Sequence, residues 1–225
     1  MQYPGLDFDT DSCYNVPAIG PNGDIALGLD PNNWPPQKYC RNEEMLERSN
    51  VYSRQRCNSG YCVIMYAYYF QKDTPAEVGG HRHDWEHIAV WVRQSDNYVT
   101  HVAVSQHSGY DIRENTQIEW TSAGDGKPTA VYHKDGGSTH CFRFAGKADF
   151  GNGGPENHWR KWITGPLIGY HGWDTVEMRD SMMTHDWGAA KLAITNENFP
   201  LNINRARPNG LVFDENFDED GTNNI

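Results

Sequence analysis

Residues Val63–Arg93 read VIMYAYYFQKDTPAEVGGHRHDWEHIAVWVR. The first eight, Val63–Phe70, form an unbroken apolar run rich in β-branched and aromatic side chains, which predicts a buried strand. The last eight, Glu86–Arg93, place Ile88, Val90 and Val92 on one face and Ala89 and Trp91 on the other, so they predict a second strand. Residues 71–84 are polar, contain Thr-Pro and Gly-Gly, and read as a loop. Outward from this pair, Tyr98–Ser105, Thr129–His133 and Cys141–Ala145 read as further short strands, and Gly151–Pro155 as a loop. Helix and coil compete over 175–193: TVEMRDSMM is compatible with a helix, THDWG breaks it, and AAKLAI can resume it. Residues 1–50 are turn-rich, and 214–225 are acidic, Asn-rich and expected to fray. Short strands separated by turn signals predict a mainly β protein built as an antiparallel sandwich. With no repeat and no composition shift, residues 1–225 are expected to form one domain.

Composition narrows the function. The chain has 225 residues and a formal net charge of −11. An acidic balance disfavours nucleic-acid binding, which needs a basic face to displace counterions. It equally disfavours a polybasic membrane surface. The run Val63–Phe70 is far shorter than the roughly 20 residues that span a bilayer. Aromatic residues at 12% argue against disorder.

Five cysteines stand at 13, 40, 57, 62 and 141. None sits in C-x-x-C or zinc-finger spacing. Cys13 and Cys40 bracket a Pro/Gly/Asn-rich stretch, and Cys57 and Cys62 bracket an Asn-Ser-Gly turn. Bridges there would stabilise by about 3–4 and about 2 kcal/mol on the chain-entropy account. The alternative is five buried thiols in a reducing compartment; an oxidising, secreted setting is favoured. The first 13 residues lack a charged start and an apolar centre, so the sequence is expected to be a mature chain with Met1 as an expression start.

The densest polar cluster is residues 71–87, holding Asp73, Glu77, His81, His83, Asp84, Glu86 and His87. Lying between two apolar strands, it would sit at the edge of a rigid sheet. In strand geometry Asp84 and Glu86 share the face of Ile88, where an unpaired carboxylate is costly and a cation offsets the cost. Three carboxylates with one imidazole form a mainly hard oxygen set, which favours Ca²⁺ or Mg²⁺, or Mn²⁺, over Zn²⁺. The alternative is a solvated acidic loop whose carboxylates pair with Arg82 and Lys72.

Enzymatic chemistry is not expected. HRHDWEH differs from the H-x-H-x-D-H of metallo-hydrolases by one position, and H-E-x-x-H, G-x-S-x-G and the phosphate-binding P-loop are absent. Asp84 and Glu86 could act as an acid/base pair, but the sequence gives them no obvious cleft.

Gly80–Glu86, GHRHDWE, is similar to the signature heptapeptide of the necrosis- and ethylene-inducing peptide-like proteins, the NLP family. Val63–Asp73 resembles that family's upstream AIMYSWYFPKD, with Gln71 in place of Pro. HIAVWV at 87–92 and HSGY at 107–110 resemble its downstream strand and turn. The resemblance is clear over residues 57–110 and thins over the first 50 and beyond 130.

The resemblance implies a β-sandwich flanked by helices, akin to actinoporins and fungal fruit-body lectins, in a monomer secreted by a plant-associated microbe into the apoplast. It implies disulfides Cys13–Cys40 and Cys57–Cys62, and leaves Cys141 without a role. It implies a divalent cation held by Asp73, His81, Asp84 and Glu86, beside a cavity that receives the terminal hexose of plant glycosyl inositol phosphorylceramide sphingolipids in the outer leaflet. Toxic members of the family damage the plasma membrane there, and plant pattern-recognition receptors perceive the strand and heptapeptide region. His107 and His140 are expected near the headgroup, and Arg82 and His83 behind the ligands, with Arg82 pairing a carboxylate. Trp85 is expected in the core. Toxic relatives carry a Trp shortly before the His that His140 matches, but His133–His140 (HKDGGSTH) has none. That departure favours an alternative, a lectin-like glycan-binding protein without lytic action.

Overall fold

The computed structural model describes residues 3–121, 126–136, 139–151 and 153–219. In chain order its elements are β1 (Gly5–Phe8), α1 (Pro36–Tyr39), α2 (Glu44–Glu47), β2 (Val51–Asn58), β3 (Tyr61–Asp73), β4 (His81–Arg93), β5 (Tyr98–Gln106), β6 (Gly109–Glu114), β7 (Thr129–Lys134), β8 (His140–Phe144), β9 (Leu167–Gly169), α3 (Val176–Thr184) and α4 (Asn198–Arg205). Two sheets form, one of six strands in the order β6-β5-β4-β3-β2-β9 and one of three in the order β1-β7-β8.

The run Val63–Phe70 is apolar throughout because both faces of the large sheet are covered. On one face Tyr66, Tyr68, Phe70, Ile88, Val90 and Val104 pack with Leu6, Phe8, Tyr132 and Phe142 of the small sheet. This is the sandwich core, and Phe70 stacks on Tyr132 with ring centroids 3.7 Å apart. On the other face Met65, Tyr69, Trp85, Ala89 and Trp91 pack with Met182, Trp187, Leu192, Phe199 and Ile203 of the C-terminal region. Helices therefore flank the sandwich on that side. Trp85 is a core aromatic, 4% exposed. Among the described residues no helix is long and apolar enough to cross a membrane.

The polar stretch departs from the sequence expectation. Residues 71–84 are not one loop: β3 runs to Asp73 and β4 starts at His81, leaving 74–80 as the turn. Lys72 pairs with Arg82 and Asp73 with His81 across the ladder, so backbone pairing holds extended residues whose side chains carry no strand signal. Gly80 makes the turn possible. Its φ is +83°, and a Cβ there would lie 2.1 Å from the Asp73 carbonyl oxygen.

Elsewhere, α3 matches the helix-compatible run, with the Thr175 side chain capping the Met178 N–H at 3.1 Å. The AAKLAI segment is not helical; the second C-terminal helix is α4, further on. Residues 214–219 are tied to β2 rather than frayed, because Asn58 donates to the carbonyls of Asp214 and Phe217 at 2.8 and 2.7 Å. The frayed-end expectation for 220–225, and Met1, Asn152 of the 151–155 loop, and Gly137 and Ser138 of the 133–140 stretch, lie outside the described residues. Disulfides join Cys13 to Cys40 and Cys57 to Cys62, and Cys141 is a buried free thiol.

Candidate metal and glycan site

The hairpin of β3 and β4 brings the acidic cluster to one end of the large sheet. Asp73 is the last residue of β3, and His81 opens β4 directly opposite it. One ligand atom each from Asp73, His81 and Asp84 lies within 4.8 Å of the others. Glu86 stands outside that group, two residues along the same strand face. Asp73, Asp84 and Glu86 are all buried.

Each carboxylate has a designated neutral donor. Tyr132 Oη donates to Asp84 Oδ2 at 2.7 Å. Ser105 Oγ donates to Glu86 Oε2 and accepts from the His87 N–H at 2.9 Å. The His140 backbone N–H donates to both oxygens of Asp73 at 3.0 and 3.1 Å, and its Nδ1 lies 2.8 Å from Oδ1. Since a carboxylate only accepts, that Nδ1 carries the proton.

His81 is oriented in the same manner. Its Nδ1 lies 2.7 Å from the His83 carbonyl oxygen, so Nδ1 carries the proton and Nε2 presents its lone pair when the ring is neutral. That nitrogen points to Asp73, 3.9 Å from Oδ2. A histidine whose far nitrogen is held by a carbonyl is the usual arrangement behind a metal ligand. His83 itself has φ +59°. This local break in β4 turns its carbonyl toward His81, while its ring meets the Tyr69 hydroxyl at 2.7 Å.

The acidic-loop alternative required Arg82 and Lys72 to neutralise the carboxylates. Neither does. Arg82 points away, donating to the Leu27 carbonyl at 2.9 Å, so the carboxylate pairing expected of it from the sequence is not formed among the described residues. Lys72 reaches the carbonyls of Pro31 and Asn33. Regular alternation would keep Arg82 on the face of Asp84; the left-handed residue His83 interrupts it, so Arg82 and Lys72 reach loop 27–33 while Asp84 and Glu86 face the sandwich. Among the described residues no Lys or Arg forms an ion pair with Asp73, Asp84 or Glu86.

Electrostatics register the deficit. Burial, reinforced by the neighbouring Asp73, pushes the Asp84 carboxyl up to about 7. Burial and Asp84 hold Glu86 well above the usual carboxylate range. For His140, burial opposes protonation, but the Asp11 carboxylate 3.8 Å from Nε2 and the hydrogen bond to Asp73 outweigh it and raise the ring to about 9. Two buried acids that resist ionisation beside a lone-pair imidazole suit a divalent cation, and the oxygen-dominated donors match the hard-ion set.

The cluster opens onto a cleft of about 430 Å³, within the range of small-molecule sites. The sequence reading gave Asp84 and Glu86 no cleft; both line this one, because the covering wall comes from the distant C-terminal region. His107 and His140 line it as well, so the two expected headgroup residues share the space with the acidic cluster. The opposite wall is Lys191 with Leu201, Asn202 and Arg205 of α4. Sequence reasoning missed these four, and also Tyr132 and Ser105. Ser105 closes a predicted strand and was visible as a polar end to an apolar run; the others carried no local signal.

The sequence profile of the necrosis inducing protein (NPP1) family matches residues 2–206. NLP effector protein 3 of Phytophthora capsici is 28% identical over 204 residues, covering 88% of this chain and 78% of the relative. NLP effector protein 10 of the same organism is 36% identical over 106 residues, which span 46% of this chain and 44% of the relative's length. A solved structure of NLPPya in complex with mannosamine superposes with TM-score 0.74 at 27% identity, over 92% of this chain and 87% of that one. The non-toxic HaNLP3 protein superposes with TM-score 0.76 at 25% identity, over 93% and 90%.

Proposed function

The chain belongs to the necrosis inducing protein (NPP1) family, and from that premise we propose that it is a secreted microbial effector that binds the sugar headgroup of plant plasma-membrane glycosyl inositol phosphorylceramides through a divalent cation. Asp73, His81, Asp84 and Glu86 would hold the ion, Ca²⁺ or Mg²⁺ before Mn²⁺. Bound, it neutralises the carboxylates and offers coordination positions to sugar hydroxyls. His107, Lys191, Asn202 and Arg205 supply the hydrogen-bonding walls of the cleft. The protein is a binder and not an enzyme, acts at the host outer leaflet from the apoplast, and is a monomer. Plant receptors perceive its β3–β4 region. The observation that carries this reading is the buried pair Asp84 and Glu86, which among the described residues have no ion-pair partner, beside Asp73, whose only ion-pair partners there are the His140 and His81 rings. A relative that was solved with an amino sugar supports a glycan in the cleft.

The test pairs metal analysis with vesicles. Dialysed protein titrated with Ca²⁺ or Mg²⁺ takes up about one equivalent, and Asp84→Asn loses that uptake. Vesicles containing the plant sphingolipid capture wild type with Ca²⁺ present and do not capture Asp84→Asn. A protein that binds no divalent ion, or binds vesicles equally in chelator, overturns the reading. Dye leakage from the same vesicles separates two outcomes. Capture with leakage is the cytolytic effector. Capture without leakage is the lectin-like protein, which the absence of a Trp from residues 133–140 favours.

A further inference from the structure

We propose a second cation site, for a borderline-soft divalent ion of the zinc class, formed by His107, Asp135 and Cys141 with His133 beside them. It does not rest on the hard-ion reading above. His107 opens the β5–β6 turn in a left-handed conformation, φ +51°. That conformation brings its Nε2 to 3.1 Å from Asp135 Oδ2, just past the end of β7. One ligand atom each from His107, Asp135 and Cys141 lies within 4.8 Å of the others. His133 and Cys141 are directly opposed across the β7–β8 ladder, so their side chains share a face, and His133 Nε2 lies 3.7 Å from the Cys141 sulfur. Three chain segments thus deliver sulfur, imidazole nitrogen and carboxylate oxygen to one point.

The donor set differs in kind from the first cluster. A thiolate with imidazoles and one carboxylate selects zinc over calcium or magnesium. On binding, a metal–sulfur bond forms, the S–H bond breaks, and the proton passes to solvent, with no change of oxidation state. Such an ion would clamp the β5–β6 turn to the β7–β8 hairpin. His107 also lines the cleft, so zinc there fixes one rim of the glycan site. This gives the fifth cysteine a function, since the other four are paired.

Cobalt(II) and zinc titrations of the full chain test the site. The disulfide cysteines offer no thiolate, so a thiolate-to-cobalt charge-transfer band reports Cys141 alone. The band should develop in wild type and in Asp84→Asn, disappear when zinc is added, and be absent in Cys141→Ser. His107→Ala and Asp135→Asn, both at exposed positions, should each weaken zinc binding about tenfold or more. If Cys141→Ser fails to fold by circular dichroism, these two variants decide. No band in wild type, a band that survives in folded Cys141→Ser, or unchanged zinc affinity in both exposed variants overturns the proposal.

Discussion

At the scale of single residues, Asp84 governs how the fold responds to pH. A carboxyl raised on folding contributes stability that is complete below its unfolded value and is lost as pH rises through its folded value. For Asp84 that loss runs from about 4 up through about 7. His140, raised to about 9, has the same sign at higher pH. His87 has the opposite sign: burial lowers it to about 4, so its contribution is present above the unfolded imidazole range and is lost as pH falls through about 4. A bare stability profile mixes these groups, whereas the difference between wild type and Asp84→Asn reports Asp84 together with Glu86, whose carboxyl Asp84 helps to hold up. In chelator, the melting temperature of Asp84→Asn should gain on wild type steadily from about pH 5 to about pH 8. With excess Ca²⁺ the order should reverse at about pH 8, because only wild type gains the ion. Parallel melting curves for the two proteins across this range in chelator would show that Asp84 is not held as an acid.

At the scale of elements, the β3–β4 hairpin sets the ligand geometry. Gly80→Ala places a methyl group against the Asp73 carbonyl and forces an L-residue into left-handed backbone, which alone costs about 1–2 kcal/mol. Asp73 and His81 are cross-strand partners, so any shift of that turn separates them. Divalent-ion affinity should drop about 10–100-fold while far-ultraviolet dichroism stays sheet-like; unchanged affinity would mean that the turn does not hold the ligands. The two disulfides should differ in weight. Removing Cys57–Cys62, which closes five residues at the β2–β3 turn, should cost about 2 kcal/mol, and removing Cys13–Cys40, separated by 27, about 3–4 kcal/mol. Urea midpoints of the two double Cys→Ser variants check that order.

Legibility followed how much of each element's stability is local. Val63–Phe70 was readable because every residue is buried, and GHRHDWE because seven adjacent residues carry three of the four proposed ligands. By contrast β2, VYSRQRCN, reads as polar; it is a strand because it pairs with β3, a pairing that its own residues do not signal. Helix α4, NFPLNINR, carries a Pro and a short pattern, yet it supplies the cleft's far wall. Tyr132 is 48 residues from the carboxylate it serves, and only the packing of the small sheet on the large one joins them.

At the scale of the whole molecule, charge and site pull in opposite directions. A chain of formal net charge −11 approaches an anionic lipid surface against a long-range repulsion, while the attraction at the cleft acts only on contact. Screening weakens the first far more than the second: the Debye length falls from about 30 Å at 0.01 M to about 10 Å at 0.1 M salt. Capture by sphingolipid vesicles at saturating Ca²⁺ should therefore strengthen over that range, mainly through a faster association rate. A protein that docks through a basic face shows the reverse, losing affinity with salt. Binding of a neutral hexose to the cleft, measured alongside, should stay nearly flat, because no surface charge is approached. If vesicle capture instead weakens steeply with salt while hexose binding holds, Lys191 and Arg205 steer the docking rather than the cation cluster, and Arg205→Gln should then remove the salt dependence.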